Sequence, residues 1–158
     1  MTHASLRLVL GAALVAALLV IAAGADWLAP FDPSVQALAE NLAPPGAEHW
    51  LGQDKLGRDI LARVMHGTRV SLAVGVVTVG ISLLLGAALG AIAGFAGGWI
   101  DEIVMRTVDV LLAFPGLLLA IALTGILGPS LRNVVIALCL IGWTGYARLA
   151  RGEIVRLR

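Results

Sequence analysis

Apolar residues in this chain fall into four long runs, separated by stretches rich in charge, glycine or proline. The runs cover residues 8–25, 70–95, 108–127 and 134–147, and the second contains no charge at all. A bilayer core takes roughly 20 apolar residues of helix, which the first three runs supply. The fourth is shorter, a length that also suits a buried or re-entrant segment. Arg132 and Arg148 flank it, and their side chains can snorkel to the headgroups and lengthen the span. Four transmembrane helices are predicted. Gly128-Pro129-Ser130 makes a tight connection before the last of them, with Ser130 placed to cap it.

Between the first two runs, residues 26–67 form a linker. Its first half is proline-rich, lacks lysine and arginine, and reads as an extended, loop-rich segment. Taken as a helix, residues 54–66 put Leu56, Ile60, Leu61, Val64 and Met65 on one face. Lys55, Arg58, Asp59, Arg63 and His66 fall largely on the other, where Lys55–Asp59 and Asp59–Arg63 are i,i+4 pairs. Such a helix lies along a membrane surface or over the outer mouth of a bundle. A solvated connector accounts for the same charges.

Inside the second run, Gly86, Gly90 and Gly94 recur every four residues as two end-to-end GxxxG units. They form a groove that lets a neighbouring backbone approach closely, and the same small residues suit a moving or pore-lining helix. Arg106 and Asp109, spaced i,i+3 at the start of the third run, can pair. They read as an interfacial structural pair, against the general rule that ions within the membrane are functional. Pro115 removes a backbone hydrogen bond and kinks its helix, either as a gate or as a packing bend. Trp50, Trp99, Trp143 and Tyr146 lie near run boundaries and fit aromatic belts, with a stacking role toward solute as the competing reading.

Composition agrees with the runs. At 59% hydrophobic and 13% charged, the 158 residues carry too little polar surface for a water-facing fold. The expected fold class is an all-α polytopic membrane protein. A net charge of +1 exerts no bulk pull on nucleic acid. The single cysteine, Cys139, excludes an internal disulfide, and His3, His49 and His66 lack metal-ligand spacing. There is no GxxxxGK[ST], HExxH or GxSxG, so any energy for uphill movement comes from a partner or an ion gradient.

Orientation follows from basic residues near the spans. Arg7, Arg106, Arg148, Arg151, Arg156 and Arg158 share one side with the termini and the 96–107 loop; Lys55, Arg58, Arg63, Arg69 and Arg132 share the other. The arginines of RLARGEIVRLR, directly beside a helix end, break this near-tie and put both termini in the cytoplasm. Ala23-Gly24-Ala25 also fits a signal-peptide cleavage pattern, which competes with a retained first helix anchored by Trp27.

Three segments, LGQDKLGRDILARVMHGTRVSL, GFAGGWIDEIVMRTVDVLLAFPGLLLAIAL and IGWTGYARLARGEIVRLR, occur in this order. Together they closely resemble the C-type permease subunits of bacterial ABC importers for dipeptides, oligopeptides and nickel, across the whole of residues 1–158. The resemblance implies the N-terminal part of a six-helix type I importer fold. Residues 1–25 would be the N-terminal transmembrane helix, 26–69 a periplasmic segment with the amphipathic helix, and 70–158 three helices of the permease domain. It implies a multi-pass inner-membrane subunit in the lipid bilayer. Its partners would be a homologous second permease, two cytoplasmic ATPases that bind the ATP and Mg, and a periplasmic solute-binding protein. The chain itself would hold no cofactor and catalyse nothing.

Gly52, Asp54, Gly57, Arg58 and Asp59 match the LGxDxxGRD signature of that family, and are expected to shape the outer mouth and the contact with the binding protein. Family members are nearly twice this length. They continue with a cytoplasmic EAA–G loop that grips the ATPase and two further helices. The chain is therefore expected to be truncated before that loop, or else to be a non-transporting membrane protein with a binding or assembly role. An intramembrane enzyme is disfavoured, because no nucleophile–base or metal constellation is present.

Overall fold

A computed structural model describes residues 3–157 as helical segments joined by short connections and one long loop, with no strand among the described residues. The helices are α1 (His3–Leu28), α2 (Ile60–Ala96), α3 (Gly98–Leu112), α4 (Gly116–Leu127) and α5 (Leu131–Leu157). Two compact units divide the chain, Met1–Ala73 and Val74–Arg158, and α2 runs from the first into the second.

In the first unit, Arg69 on α2 ties α1 down. Its Nε donates to the Ala22 carbonyl at 2.8 Å and one Nη reaches the Asp26 carboxylate at 3.1 Å. Ala22, Ala25 and Ala62 are buried, whereas Leu8, Leu14 and Val20 of α1 point outward. Small side chains within and large ones without is the arrangement expected where the surrounding solvent is hydrocarbon.

The second unit is built on a parallel pair. Along α2, Thr78, Ser82, Gly86, Gly90 and Gly94 meet, in turn, Cys139, Gly142, Trp143, Ala147 and Arg151 of α5. Both sequences ascend, so α2 and α5 run in the same direction. α3 and α4 ascend against a descending α5. Asp101 meets Arg151, Asp109 meets Arg148, Gly116 faces Ile141, and Leu127 accepts a hydrogen bond from Asn133. Together they return the chain along α5 from Arg151 to Asn133, a length of about 27 Å at 1.5 Å per residue. That is close to the hydrocarbon thickness of a bilayer. α1, α2 and α5 are each long and apolar enough to cross a membrane, and the pair α3–α4, bent by 86°, makes a fourth candidate span if it is taken as one broken crossing.

The structure corrects several sequence expectations. No separate helix covers 54–66; α2 begins at Ile60 and continues without interruption through the span. Residues 98–107, expected as a loop, belong to α3. The weak fourth run becomes the 27-residue α5, with Ser130 Oγ accepting from the Asn133 N–H at 3.2 Å as its cap. Pro115 ends one helix and starts another, because a residue without an N–H and with φ fixed near −58° suits a helix start.

Candidate functional site

Two charged constellations stand out, one in each unit. The first is the turn at residues 52–59, which leads into α2. Asp54 organises it. Its Oδ1 accepts from the N–H groups of Leu56 (2.8 Å) and Arg58 (3.1 Å), while Oδ2 takes the Arg58 Nε at 2.9 Å and the Arg63 guanidinium. Gly57 turns the chain at φ +71°, and a Cβ there would collide with the backbone of Ala37. Gly52 donates to the His49 carbonyl and accepts from Ile60, each near 3 Å. These bonds close a rigid loop from residues that alternate between charge and glycine in the sequence.

Asp59, 3% exposed, is the N-cap of α2. Its Oδ1 accepts from the Ala62 N–H at 2.6 Å, and its Oδ2 lies 2.8 Å from His49 Nδ1. The expected i,i+4 pairs of Asp59 with Lys55 and Arg63 are not formed, because the turn at Gly57 keeps Lys55 off the helix and Arg63 goes to Asp54 instead. His49 also stacks on Phe31 with ring centroids 4.6 Å apart. Sequence spacing gave no hint of His49, ten residues upstream of its partner; only the fold joins them.

Arg58, donating to Asp54, together with the two backbone N–H bonds, holds the Asp54 carboxyl well below the usual carboxylate range. A depressed folded value stabilises the protein above the unfolded value, near pH 4, and that contribution is lost as pH falls further. Thermal stability is therefore expected to be flat between pH 7 and 5 and to decline below about pH 4. In Asp54→Asn the decline should be shallower, which thermal melts in detergent across that range will read.

The second constellation lies at the α3 end of the second unit. Arg151 clamps Asp101 with two bonds, Nε to Oδ1 at 2.9 Å and Nη2 to Oδ2 at 2.6 Å. Such paired, planar contacts are the strong form of arginine–carboxylate recognition. Asp109 binds Arg148 at 2.7 Å, not Arg106, which makes no ion pair among the described residues. The i,i+3 neighbour was visible in sequence; the partner on another helix was not. Below these ion pairs runs the glycine ladder. A Cβ on Gly86 would strike the Trp143 carbonyl, one on Gly90 the Ala147 carbonyl, and one on Gly94 would sit 3.1 Å from the Arg151 carbonyl. α2 and α5 thus touch backbone to backbone over about two turns.

No group of three or more histidine, cysteine or carboxylate side chains able to hold a metal occurs among the described residues. Neither constellation sets a nucleophile beside a base. What each supplies is a rigid, charged cluster within its own unit.

Residues 86–158 match the family described as "Binding-protein-dependent transport system inner membrane component". Among curated proteins, the chain is 44% identical over 142 residues to the glutathione transport system permease protein of Pectobacterium atrosepticum, covering 89% of this chain and 47% of that protein. It is 42% identical over 141 residues to the dipeptide transport system permease protein of Bacillus subtilis (89% and 44%). Identity to the nickel transport system permease protein of Escherichia coli is 42% over 145 residues (92% and 52%). The chain spans about half the length of these relatives. The matched segment coincides with the parallel α2–α5 seam, the bent α3–α4 pair and both arginine clamps. Residues 86–158 of this multi-pass membrane protein therefore belong to the family of binding-protein-dependent transport system inner membrane components.

Proposed function

We propose that this chain is a transmembrane permease subunit of an ABC importer. It forms part of the path that carries peptides, or nickel and related small solutes, across the bacterial inner membrane. ATP hydrolysis on two cytoplasmic partner subunits drives the movement, a homologous permease completes the path, and a periplasmic solute-binding protein delivers the solute. Both termini face the cytoplasm, and the turn at 52–59 lies outside, where Gly52, Asp54, Gly57, Arg58 and Asp59 shape the entrance.

The observation that carries this reading is the coincidence of the family match with the broken crossing. At residues 113–115 the helix stops and restarts at a steep angle. Interrupted backbone at membrane depth is tolerated where it faces protein or a water-filled path. Discontinuous helices of this kind build solute sites in other transporters. The glycine ladder holds α2 against α5, and α4 packs on the same α5 through Gly116 beside Ile141 and Leu127 beside Asn133, so the break at Ala113–Phe114–Pro115 is the hinge of this reading when the path opens alternately to each side.

The test is uptake. The gene encoding this chain is co-expressed with the partner subunits in cells lacking their own peptide and nickel importers, and uptake of labelled dipeptide and of nickel is followed. ATP-dependent uptake of either, lost when the chain is deleted, is expected. A complex that assembles stably yet moves neither solute would sink the transport reading in favour of an assembly role.

A further inference from the structure

The loop of the first unit encloses a cavity of about 270 Å³, lined in part by Phe31, Asp32, Glu40, His49, Gln53 and Asp59. Its volume falls below the roughly 300–1,000 Å³ of pockets that enclose whole small molecules, and suits the end of one long side chain. Its charge is one-sided. Three carboxylates line it and no lysine or arginine does; the sequence itself carries neither between Arg7 and Lys55.

These carboxylates are not equivalent. Asp59 is occupied by the α2 cap and by His49. Asp32 accepts from both the N–H and the hydroxyl of Ser34, contacts that hold its carboxyl below the usual range and keep it anionic. The carboxylate of Glu40, at the end of a single 3-10 turn, makes no hydrogen bond or ion pair among the described residues. A separate observation points the same way. Gln53 is 5% exposed and donates through Nε2 to the Gly57 carbonyl, but its Oε1 is buried with no partner. A buried acceptor left alone is costly, so a donor there is favoured. The π faces of Phe31 and His49 suit a cation as well. Val35, which lines the cavity, is an exposed apolar side chain. Leu38 and Trp50, next in sequence to the lining residues Ala37 and His49, are exposed as well. In such apolar surroundings a charged anchor is shielded from water at a protein interface.

We propose that this cavity is the socket for a single lysine or arginine side chain of a docking protein, which in the importer reading, on which this inference rests, is the periplasmic solute-binding protein. The knob's N–H groups would serve Glu40 and Gln53 Oε1, and its methylenes would lie against Phe31. Apolar rim contacts would supply area, and the charge would fix register and speed encounter.

Docking of the system's own solute-binding protein to the reconstituted importer in nanodiscs, measured by surface plasmon resonance at several salt concentrations, tests the proposal. Glu40→Gln is expected to weaken docking about fivefold and Glu40→Lys more than tenfold, with a shallower salt dependence in both. Glu48→Lys, in the same loop but outside the cavity lining, should stay within twofold. Equal losses in Glu40→Lys and Glu48→Lys would replace the socket with diffuse electrostatics. Unchanged docking in Glu40→Lys, with saturable binding of n-butylammonium to the chain, would assign the cavity to a free amine and overturn the docking role. If the unaltered importer transports but does not dock the binding protein, the socket fails while the permease reading stands. Absence of both transport and docking removes the permease reading first.

Discussion

Gly90→Val is expected to destabilise the α2–α5 pair by about 1–3 kcal/mol, the usual cost of forcing extra atoms into a closed contact. The reason is what lies opposite. The Ala147 carbonyl, carbonyl carbon and Cα already occupy the space that a Cβ at 90 needs. These are backbone atoms on a rigid helix, so they cannot step aside as a side-chain tip would. Gly86 faces the Trp143 carbonyl in the same way. Gly94 is less confined, with its nearest neighbours 3.1 Å from the point a Cβ would occupy. A graded series follows, in which alanine at 86 or 90 costs more than alanine at 94. Gly75, on the same helix, has nothing within 4 Å. Gly75→Ala should stay within about 0.5 kcal/mol of the parent protein, as ordinary open positions do. Unfolding titrations in mixed micelles, followed by tryptophan fluorescence, will rank the four. Equal losses at 75 and 90 would contradict the seam, because helix propensity favours the replacement over glycine at both positions.

Asp59→Ala is expected to cost about 2–4 kcal/mol, combining the loss of a helix cap with the loss of a buried hydrogen-bonded partner. The carboxylate holds two groups at once, the Ala62 N–H at 2.6 Å and His49 Nδ1 at 2.8 Å. Removing it frees the first turn of α2 and strands His49 beside Phe31. Asp59→Asn keeps an oxygen for the cap and should recover at least half of the loss. Equal destabilisation by Ala and Asn would show that the charge on residue 59, rather than its capping geometry, supports the turn. Hydrogen exchange over residues 60–64 distinguishes the two directly, since fraying of α2 is expected in the alanine variant alone.

The spans were legible because the bilayer imposes one simple requirement, a long apolar helix, and residues 70–95 meet it without a charge. Helix ends were less legible. Arg63, His66 and Arg69 interrupt hydropathy but not helical geometry, so α2 starts ten residues before its apolar run. The tail of α5 was hidden for the same reason: Arg148, Arg151 and Arg156 look like an exit from the membrane, yet the helix continues through them. Pro115 announced a distortion, though a proline cannot tell from sequence whether it bends a helix slightly or divides it by 86°.

Ion-pair partners were the least legible feature. The i,i+3 spacing of Arg106 and Asp109 suggested a local pair, but a side chain from α5, thirty-nine residues away, reaches Asp109 instead. Asp101, Arg151 and His49 acquire their roles only through tertiary approach, and no periodicity encodes that. The 52–59 turn sits between these extremes. Its glycines and aspartates flagged a special backbone, while the helix drawn through it was excluded by the positive φ of Gly57.

Fold and proposed transport both depend on α2 and α5 running in the same direction, with α3–α4 as one broken crossing between them. Single cysteines at Trp99, Pro129 and Arg156, introduced after Cys139→Ala, can be probed with a membrane-impermeant maleimide in right-side-out and inverted vesicles. Labelling of 99 and 156 from the same side, and of 129 from the opposite side, is the predicted result. Labelling of 99 and 129 from one side would make α3–α4 a re-entrant loop and would contradict the parallel seam on which the fold and the proposed function are built.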